Sequence, residues 1–262
     1  MQKKQKRVLS TILMILLVLF FYAPIVYTII FSFNDSRSLT HFAGFSMQWY
    51  EKMFNDRNMM ESVFYTIITA VLATVISTVV GTITAIGLSK SKKILKTIVN
   101  QVNDLPIMNP EIVTAIGLLM LFSATHITKG FITMLLAHIM FCTPYVILSI
   151  IPKLRTLDEN LAEAAMDLGA TPWQAMTKVI VPQIKPGIIS GALIAFTMSF
   201  DDFVISYFVT GNGVSNISIL VYTMSKRINP SINALSTMII VILSVFLLIG
   251  NIIPSITKRK KK

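Results

Sequence analysis

Residues 63–88 read VFYTIITAVLATVISTVVGTITAIGL, 26 positions without one charged side chain. A helix rising about 1.5 Å per residue crosses the roughly 30 Å hydrocarbon layer in about 20 residues. Buried helices of water-soluble domains are seldom this long and this apolar, so the stretch reads as a transmembrane helix. The rest of the chain repeats the pattern. Val8–Phe33, Thr97–Phe122, Gly130–Ile151, Pro186–Val209 and Ser231–Thr257 are also long and nearly uncharged, which makes six spans with Val63–Leu88. Over its 262 residues the chain is 54% hydrophobic and only 13% charged, against about a quarter charged in soluble proteins. Mean hydropathy is +0.71. Disorder is excluded by this apolar surplus, and a disulfide scaffold by Cys142, the only cysteine. An ordinary soluble enzyme does not fit.

The formal charge is +11, and its placement gives it meaning. Seventeen of the 23 Lys and Arg precede span 1, separate spans 2 and 3, separate spans 4 and 5, or follow span 6. Positively charged loops stay in the cytoplasm. Both termini are therefore expected inside, which six crossings allow, and no nucleic acid is needed to explain the excess. Span 1 has a basic start, but its apolar run is too long for a signal peptide and no small-x-small site follows Phe33, so it reads as a retained anchor. The outer loops, Asn34–Ser62 and Gly211–Pro230, are too short for a soluble domain.

The loop Pro152–Lys185 has its own organisation. Thr156 and Glu159 have capping-box spacing, Leu161–Leu168 favours helix, and Gly169 fits the left-handed position that ends one. Thr171 then caps a second short helix with Pro172 at its first position, and Pro182 and Pro186 are expected to end it before span 5. Asp158, Glu159, Glu163 and Asp167 are the only acids on the cytoplasmic side and can face a basic partner. An amphipathic helix lying on lipid would be basic on its polar face instead.

Four acids remain, Asp104 and Glu111 in span 3 and Asp201 and Asp202 in span 5. A carboxylate at the bilayer centre costs about 2.5–3.5 kcal/mol on insertion scales, so it normally faces a water-filled path or a partner charge. No span has an interior Lys or Arg, so the expected partner is a cationic cargo. Pro106 and Pro110 interrupt span 3 before Glu111, and irregular backbone at membrane depth is tolerated where it lines a cavity. Phe196, Phe200, Phe203 and Tyr207 follow steps of four, three and four, one helical face, and aromatic faces attract ammonium groups. Plainer readings stand beside these. Asp104 reads also as the cytoplasmic cap of span 3, Asp201 and Asp202 as hydrogen-bonding gate residues, and the aromatics as packing.

Other chemistry is not indicated. No Gly is followed by Lys, so there is no P-loop. His41, His126, His138 and Cys142 lack metal-ligand spacing, and no Ser, His and Asp set has a catalytic context. The 15 Met residues read as gap-fillers, and Trp49 and Trp173 as interfacial anchors.

Residues 163–182, EAAMDLGATPWQAMTKVIVP, carry Glu163, Ala164, Ala165, Gly169 and Pro182 at the spacing of the EAA loop, and so resemble the binding-protein-dependent ABC importer permeases. Pro110–Val113, Ser199–Val204, Phe208–Gly211 and Asn229–Thr237 resemble segments of the spermidine/putrescine branch, most of all its C-type subunit. The resemblance covers nearly the whole chain. It implies an all-α integral membrane fold of six transmembrane helices, the type I ABC importer permease (MetI-like) architecture, with residues 1–262 as one permease domain. It implies that the short helix of the EAA loop couples to a separate dimeric ATPase, which alone uses ATP and Mg, so this chain binds no cofactor and is not an enzyme. The implied partners are a second homologous permease and an extracytoplasmic polyamine-binding protein in a bacterial cell membrane, with a polyamine cargo. A permease for another cationic or small organic solute, and a secondary cation transporter, are the alternatives.

Overall fold

The computed structural model describes the backbone of residues 2–158, 160–211, 213–225 and 229–259, with side chains for 9–158, 160–211, 213–225 and 229–245. The described residues are helical apart from short connections and one isolated bridge, Asn34 to Phe45. Four helices are long and apolar enough to cross a membrane, within Leu9–Phe31, Arg57–Ser89, Phe131–Leu154 and Pro172–Asp201. A bent pair, Lys93–Met108 with Glu111–Ala124, amounts to a fifth crossing. The chain divides into two compact units, residues 1–60 with 221–262, and residues 61–220.

The first unit holds α1 (Gln2–Phe31), α2 (Gln48–Asn55) and α12 (Ser231–Arg259), with α12 packed on both others. Side chains from Leu9 to Tyr22 are exposed all round α1, as suits a helix solvated by lipid. The loop after α1 is more organised than its mixed charge suggested. Asn34 is fully buried, and its amide donates to the carbonyls of Ser38 (3.0 Å) and His41 (2.9 Å) while accepting from the Ala43 N–H (2.8 Å). The expectation that Trp49 anchors at the membrane edge is corrected. It is 3% exposed, and its indole N–H donates to the Asn34 carbonyl at 2.6 Å. A buried indole needs such an acceptor, and the loop supplies it.

The second unit is built on α6 (Phe131–Leu154) and α9 (Val181–Asp201), which pack along their length. On α9, Gly187, Gly191, Ala195 and Ser199 are spaced by four and all buried. They meet Ile150, Val146, Cys142 and His138 of α6 in reverse order, again in steps of four. Without a hydrophobic drive between helices in lipid, small residues that let backbones approach are what hold such a pair. The approach is close enough that a Cβ on Gly191 would lie 3.1 Å from the Val146 Cα. From α3 (Arg57–Ser89), Gly81 also approaches Val146, and the Ser77 hydroxyl donates to the Ile139 carbonyl at 3.1 Å.

Two of the expected spans are not continuous helices. Thr97–Phe122 is α4 (Lys93–Met108) and α5 (Glu111–Ala124), bent by 108° at Asn109–Pro110. Pro106 is absorbed inside α4, and Pro110 makes the break, because a residue before proline is driven out of the helical region. Asn109 is accordingly extended, at φ −83° and ψ 146°. Span 5 was expected over Pro186–Val209. Helix instead runs from Pro172 to Asp201, stops at Asp202, and restarts as α10 (Val204–Val209), followed by α11 (Ile217–Met224). Pro182 and Pro186 do not end a helix. A π-helical segment, Ala175–Ile180, leads straight into Pro182 at the start of α9, and wider turns of this kind accommodate a disrupted hydrogen-bond ladder.

Candidate functional site

Two regions of the second unit hold the predicted site residues. The first is the loop after α6. Its helix α7 (Leu161–Asp167) is anchored by buried Ala162 and presents Glu163 and Ala164 exposed, with Ala165 half-buried. Gly169 has φ +90°, and the stop is a Schellman motif. The Gly169 N–H reaches the Met166 carbonyl at 2.9 Å, and the Ala170 N–H reaches that of Ala165 at 3.1 Å. The next turn, α8 (Pro172–Gln174), starts on the expected cap. Thr171 Oγ1 accepts from the Gln174 N–H at 3.3 Å, and the Gln174 side chain accepts from the Thr171 N–H at 3.0 Å. Pro182 lies exposed at the end of the motif.

The Thr156 cap is corrected. Its hydroxyl donates back to the Lys153 carbonyl at 2.8 Å, and α7 begins only at Leu161 after Asn160. The other half of that pair, Glu159, lies outside the described residues. The sequence did not single out the apolar surface that this loop exposes, with Leu168 90% and Trp173 75% accessible. Beside Glu163 and Asp167 it makes a rigid knob, apolar with an acidic margin.

The second region lies at the breaks. Glu111 is the first residue of α5 and exposed, where a carboxylate gains from the positive end of the helix. Asp104 is half-buried well inside α4, so it does not cap span 3. Asp201 is exposed as the last residue of α9, and its backbone carbonyl accepts from the Ser218 hydroxyl at 3.4 Å. Among the described residues, the carboxylates of Asp104, Glu111 and Asp201 have no hydrogen-bond or ion-pair partner. The segments beyond the two breaks, α5 and α10, pack on each other.

Asp202 behaves differently, and here the expectation of an unpartnered carboxylate fails. It is 8% exposed and extended, and it caps α10. Its Oδ1 accepts from the Ile205 N–H at 3.2 Å, and its Oδ2 accepts from the N–H and hydroxyl of Ser206, both at 2.7 Å. The Asn216 amide donates to its backbone carbonyl at 2.6 Å. His138 Nε2 stands 3.4 Å from its Oδ2. Backbone freed by a break in lipid must be satisfied locally, and Asp202 does this for α10. Further pins surround it. The Thr133 hydroxyl donates to the Val209 carbonyl at 2.8 Å, and Thr66 Oγ1 accepts from the Ile217 N–H at 2.8 Å.

The four aromatics do not form one stripe, because the break divides them. Phe196 and Phe200 stack at 5.7 Å on α9, and Phe203 and Tyr207 lie 5.5 Å apart across the start of α10. Phe200 is half-buried, and Tyr207 is 50% exposed. In the sequence His138 was weighed only as a metal ligand, although an ionisable residue in mid-span is itself a signal.

Residues 77–262, which include both breaks and the apolar knob, match the family described as binding-protein-dependent transport system inner membrane component. The chain belongs to this family. It is 38% identical over 231 residues to the putrescine transport system permease protein PotI of Escherichia coli strain K12, covering 84% of this chain and 82% of that one. It is 35% identical over 224 residues to the spermidine/putrescine transport system permease protein PotC of Haemophilus influenzae, covering 85% and 87%. Among solved structures, it resembles a chain of a bacterial ABC transporter that imports the acidic polysaccharide alginate. That match has a TM-score of 0.78 at 15% identity and covers 95% of this chain and 97% of that one. The likeness shows that the fold is shared with a chain of that transporter. That fold also serves a polyanion, so any preference for a cation has to come from side chains.

Proposed function

We propose that this chain is a permease subunit of an ATP-driven polyamine importer. The observation that carries the reading is the pair of free carboxylates, Asp201 and Glu111, each at a helix break, in a chain whose relatives are permeases for putrescine and spermidine. Exposed carboxylates at broken backbone suit a protonated amine and would repel an acidic cargo. Phe200, next to Asp201 in the chain, and Tyr207 on α10 add aromatic faces that attract ammonium groups. Asp104 joins the pathway as a third, half-buried carboxylate.

In this reading six helices cross the bacterial membrane, α12 supplying the sixth, and both termini face the cytoplasm. The knob of Glu163, Ala164, Ala165 and Gly169 docks on a separate dimeric ATPase, where ATP and Mg are bound. Its short rigid form transmits movement because the Schellman stop and the Thr171 cap leave few loose backbone groups. A second homologous permease completes the pathway, and an extracytoplasmic binding protein delivers the polyamine. Closure of the ATPase dimer turns the pathway outward, and hydrolysis returns it inward.

The test is uptake by the assembled transporter carrying Asp201→Asn or Glu111→Gln. Each is expected to lower spermidine or putrescine uptake at least tenfold at limiting substrate with assembly intact. Unchanged uptake by both variants contradicts the cargo assignment.

A further inference from the structure

We propose that His138 is a positioning residue of the translocation pathway, which withdraws Asp202 from the cargo and leaves Asp201 as the only carboxylate of the adjacent pair that meets it. The cargo is the polyamine of the proposed function, and the inference rests on that reading for this point alone.

Hydrogen accounting carries the argument. Ser206 has one hydroxyl hydrogen, given to Asp202 Oδ2 at 2.7 Å, so toward His138 its oxygen can only accept. An ionised carboxylate also only accepts. His138 Nε2, 2.9 Å from Ser206 Oγ and 3.4 Å from Asp202 Oδ2, therefore carries the hydrogen. Nδ1 is met by the Ser199 hydroxyl at 2.7 Å, which ties the ring to α9 before the break, while Ser206 ties it to α10 after it. The Asn216 amide donates to Ser206 Oγ at 3.0 Å as well as to the Asp202 carbonyl. Three fixed donors then hold the Asp202 carboxylate, His138 Nε2 stands against its Oδ2, and its side chain is 4% exposed. A passing ammonium finds no oxygen to approach there. One residue earlier, the Asp201 carboxylate is exposed and unengaged among the described residues.

The two acids consequently have different jobs. Asp201 sets affinity, and the His138–Asp202 pair sets the shape of the break and so the rate at which the pathway rearranges. An internal reporter lies close by. Cys142, one turn along α6 from His138, is buried, and its Sγ–H donates to the Ala195 carbonyl of α9 at 3.4 Å.

The experiment uses the assembled transporter in proteoliposomes with labelled spermidine and putrescine. Asp201→Asn is expected to raise KM at least tenfold with kcat within threefold. Asp202→Asn and His138→Leu are expected to lower kcat at least tenfold with KM within threefold. His138→Gln, whose amide nitrogen can stand where Nε2 stood, is expected to recover kcat to within threefold of the wild type, whereas His138→Asn is not. A KM rise in Asp202→Asn that equals the rise in Asp201→Asn overturns the division of roles, and so does wild-type kinetics in His138→Leu. A second arm needs no cargo. Cys142 is expected to react with N-ethylmaleimide in membranes at least tenfold faster in His138→Leu than in the wild type or His138→Gln, and equal rates overturn the latch. If the wild type moves neither polyamine, the cargo reading fails while this arm still decides the role of His138.

Discussion

Val146 is held between two glycines, and that makes Gly81→Ala a sharp test of the packing that positions α6. A Cβ at Gly81 would lie 2.7 Å from the Val146 Cγ1 and 2.9 Å from its Cβ. Carbon atoms in contact prefer about 3.5–4.0 Å, so the shortfall is about 1 Å. Val146 has little room to shift, because the Gly191 backbone of α9 also lies close, near enough that a Cβ there would be 3.1 Å from the Val146 Cα. Overpacking of this kind costs about 1–3 kcal/mol, and the double constraint puts Gly81→Ala near the upper end. The better helix propensity of alanine returns about 1 kcal/mol, leaving a net loss of about 2 kcal/mol. Val146→Ala alone removes two methyl carbons from a fully buried site, also worth about 2 kcal/mol. In the double variant the 2.7 Å clash with Cγ1 is gone, while the 2.9 Å approach to the Cβ that alanine keeps remains. The pair should therefore be destabilised by about 3 kcal/mol, where independent sites would sum to about 4. The assay is reversible unfolding of the purified chain in mixed micelles, with Gly117→Ala as the control, since nothing lies within 4 Å of that position. Additivity of the two single effects within about 0.5 kcal/mol, or a stabilising Gly81→Ala, would refute the close approach.

Three further outcomes are expected. Gly169→Ala forces a side chain into a φ of +90° at about 1–2 kcal/mol, so amide exchange across residues 161–170 should quicken about 5–30-fold, and an unchanged rate would contradict the motif. Trp49→Phe strands the buried Asn34 carbonyl at about 1–3 kcal/mol. Limited proteolysis should then cut residues 35–47 faster, and equal cutting would count against the loop's design. Thr171→Ala removes the cap of α8 at about 0.5–2 kcal/mol, visible as faster exchange at residues 173–176 with α7 unaffected.

Much of the fold is legible in residue order because lipid enforces a simple rule, that long uncharged stretches must be helices. The Gly169 stop and the Thr171 cap after α6 were equally readable, since each acts on backbone a few residues away and needs no distant partner. The parts that were missed depend on contacts across the chain. Asp202 looks like Asp201 in sequence, and only the approach of His138, more than sixty residues earlier, separates a bound carboxylate from a free one. That approach had a local signature, the four-residue spacing of Gly187, Gly191, Ala195 and Ser199, which marks the face that meets α6. The break at Asp202 was hidden because no proline or glycine announces it, and the cap that makes it tolerable is the aspartate itself. At Pro182 the error ran the other way, for a local breaker was overridden by the π-helical turn before it.

The most direct test of the account is uptake by proteoliposomes holding this chain with its partner permease, the ATPase and the polyamine-binding protein. The account predicts that ATP inside the vesicles drives accumulation of labelled putrescine or spermidine, that an uncoupler leaves it intact, and that alginate oligosaccharides are not carried. Polyamine accumulation that ignores ATP and collapses with the proton gradient, or carriage of the polyanion instead, would contradict it.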